Sequence, residues 1–125
     1  MTTVSKAAPD LVTLDADLSP GALATDPDVV EKYRRDWTAS DAAGMPLGVV
    51  RARDVADVQV AVRWAAAHGI PIVPRGAGSG LSGGACAVDG CIVLSLERMR
   101  TVEVDVGTRT AVVEPGALNV EVKRA

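Results

Sequence analysis

Five of the eleven residues from Pro74 to Gly84 are glycine, in the run Pro-Arg-Gly-Ala-Gly-Ser-Gly-Leu-Ser-Gly-Gly. Ordering so many glycines costs backbone entropy that a helix or strand does not repay, so the run is a loop. Its position constrains the fold on both sides. Only Ala85 to Gly90 separate it from the next apolar run, Cys91 to Leu96, and Asp89-Gly90 marks a turn. A crossover helix needs about a dozen residues, so none fits in that gap. Glycines carry no Cβ, so their N–H groups can gather into a concavity for an anion. Arg75 adds a positive charge, and Ser79 and Ser82 add hydroxyl donors. The direct reading is a cradle for a phosphate or pyrophosphate, and the plain alternative is a tight turn.

The preceding segment reads as a β-α-β unit. Gly48 to Arg51 is a short strand. Asp54 caps a helix whose Val55, Val58, Val62 and Ala65 form one apolar stripe, with Asp57 placing negative charge in the first turn. His68-Gly69 ends it. Ile70 to Val73 is a strand that runs into the glycine loop. A parallel pairing of the two strands with a right-handed crossover is expected. Upstream, Leu11 to Leu18 suggests a short helix, and Asp26-Pro27 starts a second that runs to about Arg35. Residues 1 to about 10 look disordered, and Ser40 to Pro46 reads as a linker. Downstream, Cys91 to Leu96 is a strand. Val102, Val104 and Val106 alternate with Glu103 and Asp105, and Thr110 to Glu114 returns, which makes a hairpin. After Pro115-Gly116, Leu118, Val122 and Ala125 begin an amphipathic helix.

Composition removes several function classes. The 125 residues are 48% hydrophobic and 23% charged, with net charge −3, in the range of one globular domain. Trp37, Trp64 and Tyr33 are the only aromatics, too few for base-stacking nucleic-acid modules. There is no basic stripe for DNA, RNA or anionic lipid. No apolar stretch approaches the roughly 20 residues of a membrane span, and Met-Thr-Thr-Val-Ser-Lys is no secretory signal, so a cytoplasmic location is expected. Cys86 and Cys91, without a histidine cluster, make no zinc site and read as plain thiols. His68 reads as a helix-end cation and Trp64 as packing. Glu97 and Asp105 read as solvent-facing carboxylates at strand ends, and the charges from Glu31 to Asp36 as a solvated helix face.

Three phosphate loops compete for the glycine run. A P-loop requires a lysine, and none lies between Lys32 and Lys123. Gly78-x-Gly80-x-x-Gly83 matches the Rossmann fingerprint literally, with Glu97 downstream, but the helix that must follow it is missing. The third option binds the pyrophosphate without a following helix.

Here the longer string becomes specific. Val-Arg-Trp-Ala…His-Gly-Ile-Pro-Ile-Val-Pro-Arg-Gly-Ala-Gly-Ser-Gly-Leu-Ser-Gly-Gly-Ala, then Ile-Val-Leu-Ser-Leu-Glu-Arg-Met99 and Val-Val-Glu-Pro-Gly-Ala117, resembles the FAD-binding domain of the vanillyl-alcohol oxidase/PCMH-type flavoproteins. The likeness spans about residues 36 to 125 and points to the glycolate oxidase D-subunit and D-lactate dehydrogenase branch. It implies an α+β fold, the N-terminal lobe of a PCMH-type FAD-binding domain, with residues 1–46 a helical extension and linker and 47–125 the domain part. It implies that Pro74, Arg75, Gly76, Ala77, Gly78, Ser79, Gly80, Leu81 and Ser82 line FAD, with Pro115 and Gly116 nearby. Some relatives tether FAD through a histidine in this loop. Ser79 stands in the corresponding run, so the flavin is expected to be non-covalent.

The family oxidises small substrates, often 2-hydroxy acids such as glycolate or D-lactate, with residues of a later cap domain. No catalytic residue is therefore expected in this chain, which resembles the N-terminal part of such an enzyme and would need a complementing C-terminal chain. The alternative is a non-catalytic α/β interaction domain derived from such a flavoprotein.

Overall fold

The computed structural model describes residues 9–38 and 40–125. The reading of residues 1–8 as disordered therefore lies outside the described residues. The elements are α1 (Leu11–Asp17), β1 (Leu23–Ala24), α2 (Pro27–Lys32), β2 (Gly48–Arg51), α3 (Val55–His68), β3 (Ile72–Arg75), β4 (Ile92–Ser95), β5 (Val102–Asp105), β6 (Thr110–Val113) and α4 (Asn119–Arg124). A four-stranded sheet runs in the order β1-β2-β4-β3, and β5 and β6 form a separate antiparallel pair. This is the mixed α/β architecture expected, with one correction. Strands β2 and β3 do not pair with each other. β4 lies between them and runs parallel to both, with Val49 and Val73 each opposite Val93. The six residues from Ala85 to Gly90 are too few for a helix, but they suffice to lead the chain back to an inner position in the sheet.

Strand β4 can occupy that position because every one of its residues is buried. Ile92 and Leu94 face one core with Val50, Ala61, Trp64, Ala65, Leu14 and Leu18. Val93, between them, faces a second core with Val49, Val73, Val30 and Cys91. Successive strand residues point to opposite faces, so a short run of apolar residues fills both layers. Elements before β2 also take part in this packing. α1 supplies Leu14 to the first core, α2 supplies Val30 to the second, and β1 pairs antiparallel with β2.

Helix α3 follows its sequence signals closely. The Asp54 side chain accepts from the Asp57 amide, and Gly69 adopts a left-handed conformation (φ 64°). Gly69 N–H donates to Ala66 O and Ile70 N–H to Ala65 O, a paired closure of the last turn. Ile70 thus belongs to the helix cap, and β3 begins two residues later than the expected Ile70–Val73. Helix α2 stops at Lys32 instead of Arg35, with the Tyr33 amide turned back to Val30 O and the Arg34 amide to Glu31 O. Beyond it, Arg34 donates to the carbonyls of Gly44 and Ala43, and Arg35 to that of Ser40. Among the described residues, no helix is long and apolar enough to cross a membrane.

Asp57 joins α3 to the first connection. Its Oδ1 accepts from the Ser19 amide and hydroxyl, and its Oδ2 from the Arg53 amide. Burial pushes its carboxyl up, but these hydrogen bonds and the Arg53 charge outweigh burial and hold it below its ordinary value. A carboxylate depressed in the folded state stabilises above its unfolded pKa, and that contribution is lost as pH falls through the folded pKa. Asp57→Ala is therefore expected to cost about 1.5–3 kcal/mol at neutral pH. Urea unfolding measures it, and the gap between wild type and variant should narrow as pH drops below about 4.

Candidate functional site

The parallel strands β2, β3 and β4 end together at Arg51, Arg75 and Ser95, which are mutual register partners across β4. In open sheets of this kind, ligands bind beyond the carboxyl ends of the strands. The glycine loop leaves β3 at that edge. Pro74 sits in β3, which has a neighbour on one side only, where a missing N–H is tolerated.

Two glycines in the loop are dictated by conformation: Gly78 at φ 72° and Gly83 at φ 81°. A Cβ at Gly78 would also stand 2.1 Å from the Arg75 guanidinium, which lies beneath it. By contrast, Gly84 meets nothing within 4 Å, and Gly80 meets only Asp36 Oδ2, at 3.6 Å. The packing of the described residues does not require glycine at those two positions. Among the described residues, the amides from Gly76 to Ser82 donate to no protein acceptor. Ala77, Ser79, Gly80, Leu81 and Ser82 are exposed, and Leu81 is 74% exposed. This open row of donors with two hydroxyls suits an anion with several oxygens.

Arg75 is turned inward. Its Nη1 donates to Arg35 O at 2.8 Å and more weakly to Tyr33 O at 3.4 Å, and its guanidinium lies 5.6 Å from the centre of the Tyr33 ring. It brings positive charge to the loop while anchoring it.

Pro115 and Gly116, distant in sequence, arrive at the same place. A Cβ on Gly76 would sit 3.3 Å from Pro115 O, and one on Gly116 would sit 2.1 Å from Leu96 O and 2.8 Å from Met99 O. Gly116 N–H donates to Met99 O. The structure thus brings both expected segments together at one edge.

Several residues at this edge escaped the sequence reading. Glu97 is not a free strand-end carboxylate: it accepts from the Tyr33 hydroxyl and from Arg51 Nε. Burial raises its pKa, but these two donors outweigh burial and lower it overall. Burial and the Glu97 carboxylate push the Tyr33 phenol up. Asp105 is exposed as expected and accepts from the Thr108 amide. Asp36 is not part of a solvated face. It is 5% exposed and accepts from the Thr38 amide and hydroxyl, the Gly83 amide and the Cys86 thiol. The bond to the amide two residues on is an Asx turn, for which Asp36-Trp37-Thr38 was the available signal. Trp37 is 73% exposed beside the loop, and its amide donates to Gly80 O.

The glycines separate by test. Gly116→Ala forces backbone atoms apart and is expected to cost at least about 1–3 kcal/mol. Gly80→Ala and Gly84→Ala should stay within about 0.5 kcal/mol of wild type while weakening the affinity for inorganic pyrophosphate. Thermal melting and calorimetric titration of the three variants check both expectations.

The profile of an FAD binding domain matches residues 46–125. A D-2-hydroxyglutarate dehydrogenase from Stutzerimonas stutzeri is 36% identical over 108 residues, 86% of this chain and 23% of that protein. The glycolate oxidase subunit GlcD of Bacillus subtilis is 35% identical over 82 residues, 65% of this chain and 17% of that protein. The crystal structure of p-cresol methylhydroxylase with substrate bound superposes with a TM-score of 0.76 and 25% identity, over 91% of this chain and 23% of that one. The chain spans less than a quarter of the length of each of these proteins. With the profile covering strands β2 to β6, the glycine loop and the Pro115-Gly116 turn, the chain belongs to the FAD binding domain family, the flavoprotein family that its glycine string resembles.

Proposed function

We propose that this chain holds FAD non-covalently by its diphosphate, through Pro74, Arg75, Gly76, Ala77, Gly78, Ser79, Gly80, Leu81 and Ser82 with Pro115 and Gly116 alongside. In this reading it contributes the cofactor-binding part of an oxidoreductase acting on a small 2-hydroxy acid. The observation that carries the proposal is that, among the described residues, the amides from Gly76 to Ser82 donate to no protein acceptor, at the carboxyl edge of the parallel strands β2, β4 and β3. The donor set fits a diphosphate: several main-chain N–H groups, the Ser79 and Ser82 hydroxyls, and a fixed cation at Arg75. FAD, when bound, supplies acceptance of a hydride from the substrate carbon that bears the hydroxyl. The residues of this chain bind and orient. The amides donate to phosphate oxygens, Gly80 and Gly84 keep side chains out of the way, and the half-buried Arg75 charge offsets part of the diphosphate charge. Ser79 has no ring nitrogen with which to tether the flavin.

The substrate class is drawn from the relatives, whose names specify D-2-hydroxyglutarate and glycolate, both 2-hydroxy acids. No residue of the chain is assigned to the chemical step. The β5–β6 hairpin supports a need for further protein. Val102 and Val104 lie opposite Val113 and Ala111, so all four share one face, and Val104, Ala111 and Val113 on it are exposed. A complementing C-terminal chain or segment would cover this face and close the cofactor site from the other side.

FAD titration followed by flavin fluorescence tests the assignment. The chain alone is expected to bind weakly, since it contacts the cofactor on one side. Absence of binding at millimolar FAD would remove the loop assignment, and tight stoichiometric binding with turnover of a hydroxy acid would remove the need for a second part. Acid precipitation of the loaded protein should release all the yellow colour into the supernatant. Flavin retained in the pellet would show a covalent bond.

A further inference from the structure

The glycine loop is held from one side by four consecutive residues. Arg34 O accepts from the Ala87 amide at 2.8 Å, beyond the loop's exit. Arg35 O accepts from Arg75 Nη1 at 2.8 Å, at its start. Asp36 Oδ2 accepts from the Gly83 amide at 2.9 Å. The Trp37 amide donates to Gly80 O at 3.1 Å, near the loop's middle. Residues 34, 35, 36 and 37 thus pin positions 87, 75, 83 and 80 respectively, and they lie before the 46–125 region that matches the family profile.

We infer that residues 34–37 form a strap that preorganises the cofactor loop, with the buried Asp36 carboxylate as its positioning residue. A segment this rich in glycine loses much conformational entropy on ordering. If that ordering occurs only when the ligand arrives, it is subtracted from the affinity, and if the protein imposes it beforehand, it is not. Three of the strap's four bonds use its main chain, which side-chain changes do not remove. Asp36 is the exception. Its Oδ2 holds the Gly83 amide, and its Oδ1 takes the Thr38 amide and hydroxyl and the Cys86 thiol. A carboxylate this close to an anion site would repel the ligand if its oxygens faced it. Here both oxygens are already turned to protein donors, so the charge serves to hold the loop. Gly83, which Asp36 holds, is one of the two loop glycines at positive φ, where the chain makes its sharpest departure from ordinary backbone.

The inference rests on the loop being the diphosphate site for the ligand-binding part of its test, but not for the loop-order part. Amide exchange and ¹⁵N relaxation are measured on the ligand-free chain as wild type, Asp36→Ala and Asp36→Asn. FAD and inorganic pyrophosphate are then titrated into each. The expected result is faster exchange and lower order parameters from Gly76 to Gly84 in both variants, with the amides of β4 as protected as in wild type. Affinity for both ligands should fall roughly tenfold, more for Ala than for Asn, which keeps one acceptor oxygen. Unchanged loop exchange in the variants would overturn the strap. Loss of β4 protection in both would also overturn it, because Asp36 would then support the whole fold and not the loop. If wild type binds neither ligand while the variants loosen the loop, the strap stands and the diphosphate assignment fails.

Discussion

Everything at the candidate site depends on β4 lying between β2 and β3. Its four residues supply backbone bonds to both neighbours and side chains to both cores. Ile92 and Leu94 on one face and Val93 on the other leave no side of the strand for water. That arrangement brings the ends of three parallel strands to one edge, and the residues just past those ends become the floor of a binding surface. Inserting a charge at Val93 would empty the smaller core of its centre and separate β2 from β3 in the same step, because a buried unpaired charge is among the costliest changes a domain can suffer. The glycine loop has no stability of its own to contribute. It is placed by β3 on one side and by the return into β4 on the other.

The loop amides that donate to no acceptor among the described residues are consistent with folding because most of them, at Ala77 and from Ser79 to Ser82, belong to exposed residues. A buried N–H without a partner carries a penalty, whereas an exposed one is satisfied by water until a ligand replaces it. The surrounding polar groups show the opposite behaviour. Tyr33, Arg51 and Glu97 satisfy one another, Arg75 is spent on carbonyls, and Asp36 is fully engaged. Beside the loop, then, the charged groups are largely committed to protein partners, and its main chain is not. A site of this kind recognises an anion by shape and dipoles more than by mobile charged side chains.

Much of this was legible in the sequence, and the limits have physical causes. Helix α3 could be read almost to the residue, because its caps, Asp54 and Gly69, are local signals that act within one turn. The hairpin was legible from alternation, and the loop from its glycines. The two residues of β1 were not, since Leu23 and Ala24 become a strand only by pairing with Val50 and Val49. The start of β3 was misplaced because Ile70, apolar and β-branched, is claimed by the helix cap. The insertion of β4 was invisible because strand order is decided by long-range packing, and a β-α-β pattern fixes direction more firmly than adjacency. Asp36 and Glu97 were read as solvated because a carboxylate's partners, here Gly83 and Tyr33, lie 47 and 64 positions away.

The hairpin and α4 attach to the rest through few bonds. Glu114 N–H donates to Thr101 O and the Thr101 amide to the Glu114 carboxylate, which closes the base of the hairpin, while Gly116 N–H donates to Met99 O and Arg100 pairs with Glu121. A two-stranded hairpin has little stability alone, so this arm takes its position from the anchor at Met99 and Gly116. A Cβ on Gly116 would run into Leu96 O, and one on Gly76, the first glycine of the loop, would meet the carbonyl of the neighbouring Pro115. The valine face of the arm and the amides of the loop therefore share one fixed point. A displacement of the Met99–Gly116 anchor would move the arm and the start of the loop together, so the position of the apolar face and the shape of the candidate anion site are linked by geometry.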